Sequence, residues 1–445
     1  AGVTIKTLNL LRSLSRGKKT KYRALLATGW ENIAPVVEEL KKNAGVKVIF
    51  FGKEPVISKS SPAANILYEI RTFKDHETRE TKARLVKASA LFQERWPALQ
   101  SDKSLRQIMT HLDIPLWDIV ERRFCYLFST RFAELANKIN IIENMLNRTK
   151  TDIIVVNNGV SEFDRTLIAA ANQKSIPSLI NQREQSGHPI SSLPISASKV
   201  AAWGQITRDW LVREGVSPDK IVITGGSRFD AYLKKSKSPN NGKGEIVLAT
   251  QFTAKSTYFA NIHLSPREDE MLLYSVVTAM KEFPDKQLVV KLHPSEKAVE
   301  RKKRIIENAA QEAKVDNVTV VRSADLNEML INADVLITPW STVGLEAMIL
   351  GKPVIQVNLS KRPDTPSFIT QYADSGAAIG VSRVEDVAPA IRSILTDSEV
   401  RQRLEDGRKK YVYEYAYKQD GKASQRVADL IISMIEESRE SRGEN

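Results

Sequence analysis

The sequence predicts an α/β protein built from two successive parallel sheets that are covered by helices. Short apolar runs alternate with amphipathic helical segments along the chain, which is the pattern of repeated βαβ units. A polar segment at 234–244, KKSKSPNNGKG, separates two such series and has the composition of a linker. Because 445 residues exceed the size of one ordinary core, the two series are expected to form two domains with a cleft between them.

The first half is predicted to begin with a strand at 24–28, a turn at Gly29-Trp30 and a helix at 32–43. Further strands of this half are expected at 46–51, 152–157, 177–180, 200–203 and 221–224. Residues 62–148 show no clear strand pattern and are predicted to form a helical insertion, in which Asp113 caps a long helix. Because parallel sheets bind ligands at the carboxyl ends of their strands, the loops that follow these strands are candidate site segments.

The second half repeats the alternation. Strands are expected at 245–250, 287–292 and 318–321, a capped helix begins at Ser265, and a further helix is expected at 325–332. An amphipathic helix at 422–437 carries apolar residues on one face and is expected to dock on the rest of the molecule.

Residues 334–357 form the most informative unit of the second half. Apolar runs at its two ends are predicted strands, and the segment between them has helical spacing. Ser341 and Thr342 stand where that helix begins, so their hydroxyls and the free backbone N–H groups suit a diphosphate. Glu346, one turn further along, is placed to accept hydrogen bonds from ribose hydroxyls. A capped helix that binds nothing is the alternative for this unit.

The chain carries a formal net charge of +13, from 66 Lys and Arg against 53 Asp and Glu. Nucleic acid, anionic lipid and phosphorylated substrates are the classes of partner that such a charge favours. The basic residues of 1–23 alternate with leucines, which is typical of a membrane-surface segment or of a solvated start. Since the basic residues are not interleaved with aromatics, no nucleic-acid partner is expected. The single cysteine, Cys125, indicates a reducing compartment.

Several common catalytic signatures are missing from the sequence. It contains no Walker A loop, no G-x-G-x-x-G after the first strand and no Cys/His cluster with zinc spacing. No D-x-D motif is present either, which argues against a nucleotide-sugar site built around a divalent metal. The sequence therefore predicts neither a metal nor a cofactor.

Four segments of the second half resemble, in order, conserved regions of the GT-B glycosyltransferase superfamily. They are TGGSRFDAYL at 224–233, VVKLHPSE at 289–296, ADVLITPWSTVGLEAMILGKPVI at 333–355 and DGKASQRVADLI at 420–431. The chain is similar to bacterial capsule, teichoic-acid and surface-polysaccharide transferases, including the CDP-glycerol glycerophosphotransferase-like group. In the first half the resemblance rests mainly on the sheet pattern and on NNG at 157–159.

The resemblance implies a role for several residues. His293 matches the His-Pro motif whose imidazole meets the donor phosphates, and Lys291 stands beside it. Ser341 and Thr342 match phosphate-binding positions, and Glu346 matches the ribose-binding acid. Two further expectations concern the cleft: Arg228 either faces it or forms a structural ion pair, and the residues expected on the acceptor side are Gly29, Asn158 and Glu162.

The general base is where the sequence departs from the transferase pattern. Related transferases often carry Gln-His-Gly after the strand that ends here at Ile180, whereas this chain has Gln-Ser-Gly at 185–187. Glu184 and His188 flank that gap, and either is a candidate to take a proton from an acceptor hydroxyl. Glu162 is a weaker candidate, because an acid in the first turn of a helix is common.

The resemblance thus implies a metal-independent glycosyltransferase that moves a sugar from a nucleotide-activated donor to a surface glycan or lipid-linked acceptor. Its N-terminal domain is expected at 1–236, its nucleotide-binding domain at 237–415, and a returning helix at 416–445. We expect a cytoplasmic protein, peripheral at the inner face of the membrane, with anionic lipid as a possible partner.

Two other enzymatic activities and a non-enzymatic one remain open from the sequence. A CDP-glycerol-type transferase would move a polyol phosphate instead of a sugar. A non-hydrolysing nucleotide-sugar 2-epimerase shares the fold and would convert the donor with no acceptor, although such enzymes usually open with a Gly-Thr-Arg-Pro-like loop where this chain has TGWE at 28–31. A glycan- or nucleic-acid-binding protein would show salt-sensitive binding without a nucleotide preference.

Overall fold

The computed structural model describes residues 20–42, 45–53, 61–157, 159–183, 193–235, 244–252, 264–359 and 371–443. Within these ranges the chain forms two parallel sheets, each with helices packed on both faces, so the predicted α/β class with two Rossmann-like units is confirmed. Residues 1–19 of the basic N-terminal segment and most of the predicted linker lie outside the described residues.

The first sheet has seven strands in the order β3-β2-β1-β6-β7-β8-β9. These strands are β1 Tyr22–Ala27, β2 Val46–Gly52, β3 Glu69–Thr72, β6 Ile153–Val156, β7 Ser178–Asn181, β8 Lys199–Ala202 and β9 Ile221–Ile223. The helices around them are α1 Trp30–Lys42, α2 Pro62–Leu67, α3 Phe73–His76, α4 Arg79–Gln100, α5 Lys103–Ile108, α6 Trp117–Tyr126, α7 Phe132–Thr149, α8 Glu162–Gln173, α9 Gln205–Arg213 and α10 Asp230–Lys235. The central strands are buried on both faces, which explains why they appear as unbroken apolar runs.

Two details of the predicted insertion are wrong. Residues 69–72 form β3, which pairs in parallel with β2 and extends the sheet by one strand. The four residues of β3 alternate between half-buried and buried, so the run is too short to stand out as a strand. Asp113 does not cap a helix: it lies at positive φ in the turn between β4 Thr110–His111 and β5 Ile114–Pro115. The remainder of the insertion is helical, as predicted.

The second sheet has six strands in the order β12-β11-β10-β13-β14-β15. These strands are β10 Glu245–Ala249, β11 Gln287–Lys291, β12 Val318–Val321, β13 Ala333–Thr338, β14 Val354–Val357 and β15 Ile379–Val381. The accompanying helices are α11 Pro266–Ala279, α12 Val299–Ala313, α13 Leu326–Asn332, α14 Thr342–Ile349, α15 Gln371–Asp374, α16 Val387–Thr396, α17 Ser398–Ala416 and α18 Ala423–Ser441. The capping box predicted at Ser265 and Glu268 is present at the start of α11.

Two features connect the halves. A hydrophobic cluster combines Trp203 and Phe229 from the first half with core residues of the second sheet and with Tyr415 of α17. Helix α18 then returns to the first sheet, where its apolar face joins the core formed by α1 and β1. In the described parts of the chain, no helix combines the length and apolar character that crossing a membrane requires.

Candidate functional site

Three loops meet at the carboxyl edge of the second sheet, because β11, β10 and β13 are neighbours and run in parallel. These loops begin at Thr250, Leu292 and Pro339. The side chain of Thr338, at the end of β13, donates a hydrogen bond to the carbonyl oxygen of Ala249 across the adjacent strand at 3.1 Å. The edge therefore forms one continuous polar surface, at the position where such sheets bind ligands.

The buried side chain of Lys302, on α12, links two of these loops. Its side chain is 1% exposed, and its ammonium donates to the carbonyl oxygen of Gln251 at 2.8 Å. The same ammonium pairs with Asp269 at 2.8 Å and with Glu296 at 2.9 Å. The amide of Gln251 in turn donates to the carbonyl of Trp340 in the third loop. All three loops are thus held in one buried polar network.

His293 stands on the second of these loops in a defined tautomer. Its Nδ1 accepts a hydrogen bond from the backbone N–H of Ser295 at 3.1 Å, and its ring packs against Phe252 with centroids 5.1 Å apart. Burial, with a further contribution from Lys291, lowers the pKa of the imidazole. The ring is therefore neutral near pH 7 and carries its proton on Nε2, where it is able to donate to an anionic ligand.

The start of α14 is built as the sequence predicts. Ser341 is the N-cap, and its hydroxyl accepts from the N–H of Val343 at 3.4 Å. The hydroxyl of the buried Tyr372 donates to the carbonyl oxygen of Ser341 at 2.7 Å, which holds the cap in place. A side chain at Gly344 would bring its Cβ to 2.4 Å from the Tyr372 ring, so this glycine is required for the ring to lie under the helix. Thr342 is the first helical residue.

Glu346 is buried one turn into α14, with a side chain 2% exposed. Arg228, from the first half, donates to its Oε1 at 2.7 Å, and Tyr232 of α10 is a further hydrogen-bond partner. Burial raises the pKa of Glu346, and Arg228 opposes that rise. Its second oxygen, Oε2, is buried without a hydrogen-bond partner among the described residues. The structure thus contains the ion pair that was one of the two alternatives for Arg228.

Arg228 owes its position to a contact that sequence reasoning missed. The loop at 224–230, here called the clasp loop, binds the start of α18. The carboxylate of Asp230 accepts from the N–H of Ser424 at 2.7 Å, and Arg426 donates to the carbonyl of Thr224 at 2.6 Å.

The contact between the clasp loop and α18 involves two of the four segments on which the family resemblance rests. TGGSRFD and DGKASQR are distant in sequence but join in space, and Asp230 takes the role of a helix cap supplied from another part of the chain. In the sequence this contact is marked by Asp230 in the first segment and by Ser424 at the helix start in the second.

Lys291 points toward the neighbouring edge of the sheet. Its ammonium donates to the carbonyl oxygens of Leu292 and Arg322, both at 2.9 Å. Burial lowers its pKa. Its expected contact with a donor phosphate stays a prediction, and the structure indicates that this lysine mainly fastens the loop that carries His293.

On the facing half, Gly29 and Asn157 come together at the ends of the adjacent strands β1 and β6, where Thr28 donates to the Asn157 side chain. Glu162 begins α8 and is paired with Arg131 and with Lys138, the latter at 2.5 Å. The hydrogen bond from Lys138 lowers the pKa of Glu162, which makes this carboxylate a weak base. Asn158, Glu184 and His188 lie outside the described residues.

The described residues contain no group of three or more His, Cys, Asp or Glu side chains arranged to hold a metal ion.

The two sheets and the groups along the edge of the second one define a class of protein. It is a two-domain enzyme with a GT-B-like fold that has a helix start, a neutral histidine and a buried carboxylate along one sheet edge. Comparison with known proteins gives the family. The sequence profile described as UDP-N-acetylglucosamine 2-epimerase matches residues 194–432, just over half of the chain. The chain belongs to the UDP-N-acetylglucosamine 2-epimerase family.

Individual relatives are distant. The UDP-N-acetylglucosamine 2-epimerase of Methanocaldococcus jannaschii is 24% identical over 225 residues, which cover 49% of this chain and 57% of that relative. The structure of the Neisseria meningitidis UDP-GlcNAc 2-epimerase bound to UDP-GlcNAc has a TM-score of 0.60 at 15% identity, covering 93% of this chain and 99% of that one. A wall teichoic acid polymerase, TagF, has a TM-score of 0.53 at 12% identity, covering 98% and 95%.

The comparisons correct the expected activity. The GT-B fold is shared with transferases, which explains the resemblance, but the family match and the curated relative both name a 2-epimerase. The expectation of a glycosyltransferase is therefore wrong, and the CDP-glycerol-type chemistry finds no support. The sequence motifs misled because most of them lie in the second half of the chain, whose fold also occurs in transferases.

Proposed function

We propose that the protein is a non-hydrolysing nucleotide-sugar 2-epimerase, with UDP-N-acetylglucosamine as the substrate to test first. The observation that carries the proposal is the family match over 194–432, a span that contains the whole sheet edge with His293, Ser341 and Glu346. The relatives named above are 2-epimerases, and one of them binds UDP-GlcNAc in its crystal structure.

The described residues supply the groups that a nucleoside diphosphate needs. The start of α14 offers backbone N–H groups and the Thr342 hydroxyl to a diphosphate. The Nε2–H of His293 donates to a phosphate oxygen and adds no charge that would trap the product. The unpartnered Oε2 of Glu346 accepts a hydrogen bond from a ribose hydroxyl.

Inversion at C2 of the sugar requires that the C2–H bond breaks and that a proton returns to the opposite face of the ring. Because no carbonyl lies next to C2, the electron pair of the C2–H bond forms a C1–C2 double bond while the bond from C1 to the diphosphate oxygen breaks. The nucleotide then adds back to C1 as the proton returns to C2. A base and an acid must therefore flank the sugar, on the side that faces the first half. Glu162 is poorly suited, because two cations hold its carboxylate. Glu184 and His188 stay candidates, now for proton transfer at carbon and no longer for an acceptor hydroxyl. The loop at 28–31 contains no basic residue, and its Trp30 packs against Phe50 and Tyr68.

The test is incubation of the protein alone with UDP-N-acetylglucosamine in deuterated water, followed by proton NMR. We expect a second UDP-N-acetylhexosamine to accumulate, with deuterium at C2 in both epimers. Glu346→Gln is expected to weaken substrate binding by about 10-fold or more, because a charged hydrogen bond to ribose is lost.

An unchanged spectrum, with neither epimer nor deuterium, contradicts the proposal for this substrate. A panel of UDP-N-acetylgalactosamine, UDP-glucose and GDP-mannose then tests whether another nucleotide sugar is converted. The matched control for Glu346→Gln is Glu270→Gln, which removes an exposed carboxylate paired with Arg301 on the outer surface of the same half.

A further inference from the structure

We infer that Arg228 is a positioning residue that acts on the nucleotide through Glu346, holding that carboxylate oriented so that Oε2 is directed to the ribose. The inference rests on the proposed function for the identity of the ligand. It assigns to the first half of the molecule a part in nucleotide recognition, which the sheet edge of the second half would otherwise perform by itself.

The two carboxylate oxygens of Glu346 have different surroundings. Oε1 is taken by the guanidinium of Arg228 at 2.7 Å, whereas Oε2 is buried and has no partner among the described residues. A carboxylate held at one oxygen loses its freedom to rotate, so the other oxygen keeps one direction. Tyr232 of α10 interacts with both Glu346 and Arg228 and faces the pair from that helix.

Arg228 is itself held on the side away from Glu346. It is the second residue of a 3₁₀ turn at Ser227–Phe229, and both flanks of that turn bind the start of α18. Ser424 donates to the carbonyl oxygen of Ser227 at 3.2 Å and to the carboxylate of Asp230 at 2.7 Å. Hydrogen bonds to α18 therefore hold the loop that carries Arg228, and this places the guanidinium beside Glu346.

The charges around Glu346 come from few elements. Arg228 and Tyr232 face it from the clasp loop and from α10. Arg408 of α17 contacts α14 at the opposite end, where it donates to the carbonyl of Met348 at 2.8 Å and lies 3.8 Å from Glu405. Asp334, on β13, pairs with Lys286 at 2.9 Å. Arg228 is thus the cation that counters the burial of Glu346.

A double-mutant cycle on UDP binding tests the inference. The proteins are wild type, Arg228→Met, Glu346→Gln and the double variant, each titrated with UDP by calorimetry. We expect Arg228→Met to weaken UDP binding by about 10-fold in the wild-type background, as for the loss of a charged hydrogen bond. In the Glu346→Gln background the same change is expected to alter the dissociation constant less than about 2-fold, because residues that act as one unit are not additive.

The opposite pattern overturns the inference. If Arg228→Met costs the same factor in both backgrounds, Arg228 contacts the nucleotide directly. Arg228→Lys keeps the charge but loses the planar fork, and is expected to recover part of the affinity. Arg383→Met removes an exposed arginine paired with Asp386 and is the matched control, with unchanged UDP binding.

A measurement without ligand separates this inference from the proposed function. Glutamate labelled with ¹³C at the carboxyl carbon, with Glu346→Gln to assign the signal, gives the pKa of Glu346 by NMR. Removing Arg228 is expected to raise that pKa, so that UDP affinity of Arg228→Met falls at a higher pH than in wild type as the pH is lowered. An unchanged pKa overturns the inference, whether or not UDP proves to be the ligand. A raised pKa together with no UDP binding by the wild type contradicts the proposed function alone.

Discussion

At the scale of single residues, the tautomer of His293 decides which ring nitrogen is able to donate a hydrogen bond. The N–H of Ser295 donates to Nδ1, so the neutral ring presents Nε2–H to the ligand. Protonation would place a second hydrogen opposite the Ser295 N–H and break this contact. Since burial lowers the pKa of His293, the neutral form persists below the usual imidazole pKa of about 6.5.

This leads to a prediction on pH dependence. The value of kcat/KM is expected to stay level as the pH falls through about 6.5, and to decline only below that, because the active form is the neutral one. His293→Ala is expected to reduce turnover about 10²-fold while leaving the melting temperature unchanged, by loss of one donor to the diphosphate. His111→Ala, at an exposed hairpin position, is the control. A profile that rises as the pH falls would indicate a protonated imidazole instead.

At the scale of elements, the site is a set of loops made rigid by one buried lysine. Lys302 satisfies two carboxylates, Asp269 and Glu296, and also holds the carbonyl of Gln251. No periodicity in the sequence marks this residue, because a lysine in a basic amphipathic helix is ordinarily solvent-exposed. Its neighbour Lys303 follows that rule and pairs with Glu300 at the surface.

The two adjacent lysines give a matched prediction on stability. Lys302→Met is expected to lower the free energy of unfolding by about 3–5 kcal/mol, since two buried carboxylates lose their cation. Lys303→Met is expected to change it by less than about 0.5 kcal/mol. Urea unfolding at pH 7 and pH 5 measures both. The loss in Lys302→Met is expected to shrink at the lower pH, where protonation neutralises the carboxylates. Equal stability of the two variants would contradict the role of the network.

At the scale of the whole molecule, α18 connects the end of the chain to the site. It packs on α1 and β1 and is capped by the clasp loop, which carries Arg228. Contacts of Arg228 with Glu346, of Asp230 with α18, and of α18 with the first sheet therefore link the site edge to both halves. The predicted domain boundary near residue 236 stays a prediction, and the last helix packs on the first sheet.

The contact between the clasp loop and α18 leads to a prediction that distinguishes an effect on stability from an effect on UDP binding. Asp230→Ala is expected to lower the free energy of unfolding by about 1 kcal/mol through loss of a helix cap. It is also expected to weaken UDP binding, because the loop that orients Arg228 loosens. Asp397→Ala removes the cap of α17, where Asp397 accepts from Glu399 and Val400 at 2.8 and 3.1 Å, and is expected to lower stability equally but to leave UDP binding unchanged. Equal UDP binding in both variants would show that α18 has no influence on the site.

The sequence by itself determined the α/β class, the capped start of α14 and the strands of the two large sheets apart from the short β3 and β15. The separate two-stranded sheet of β4 and β5 was not predicted either. These are local properties, since apolar runs, capping residues and helix stops act within a few positions of one another. Only the tertiary structure decided that Arg228 meets Glu346, that Asp230 caps α18, and that Lys302 lies beneath the site. These contacts join residues more than 30 positions apart. The sequence near a charged residue does not indicate which distant residue it will contact after folding.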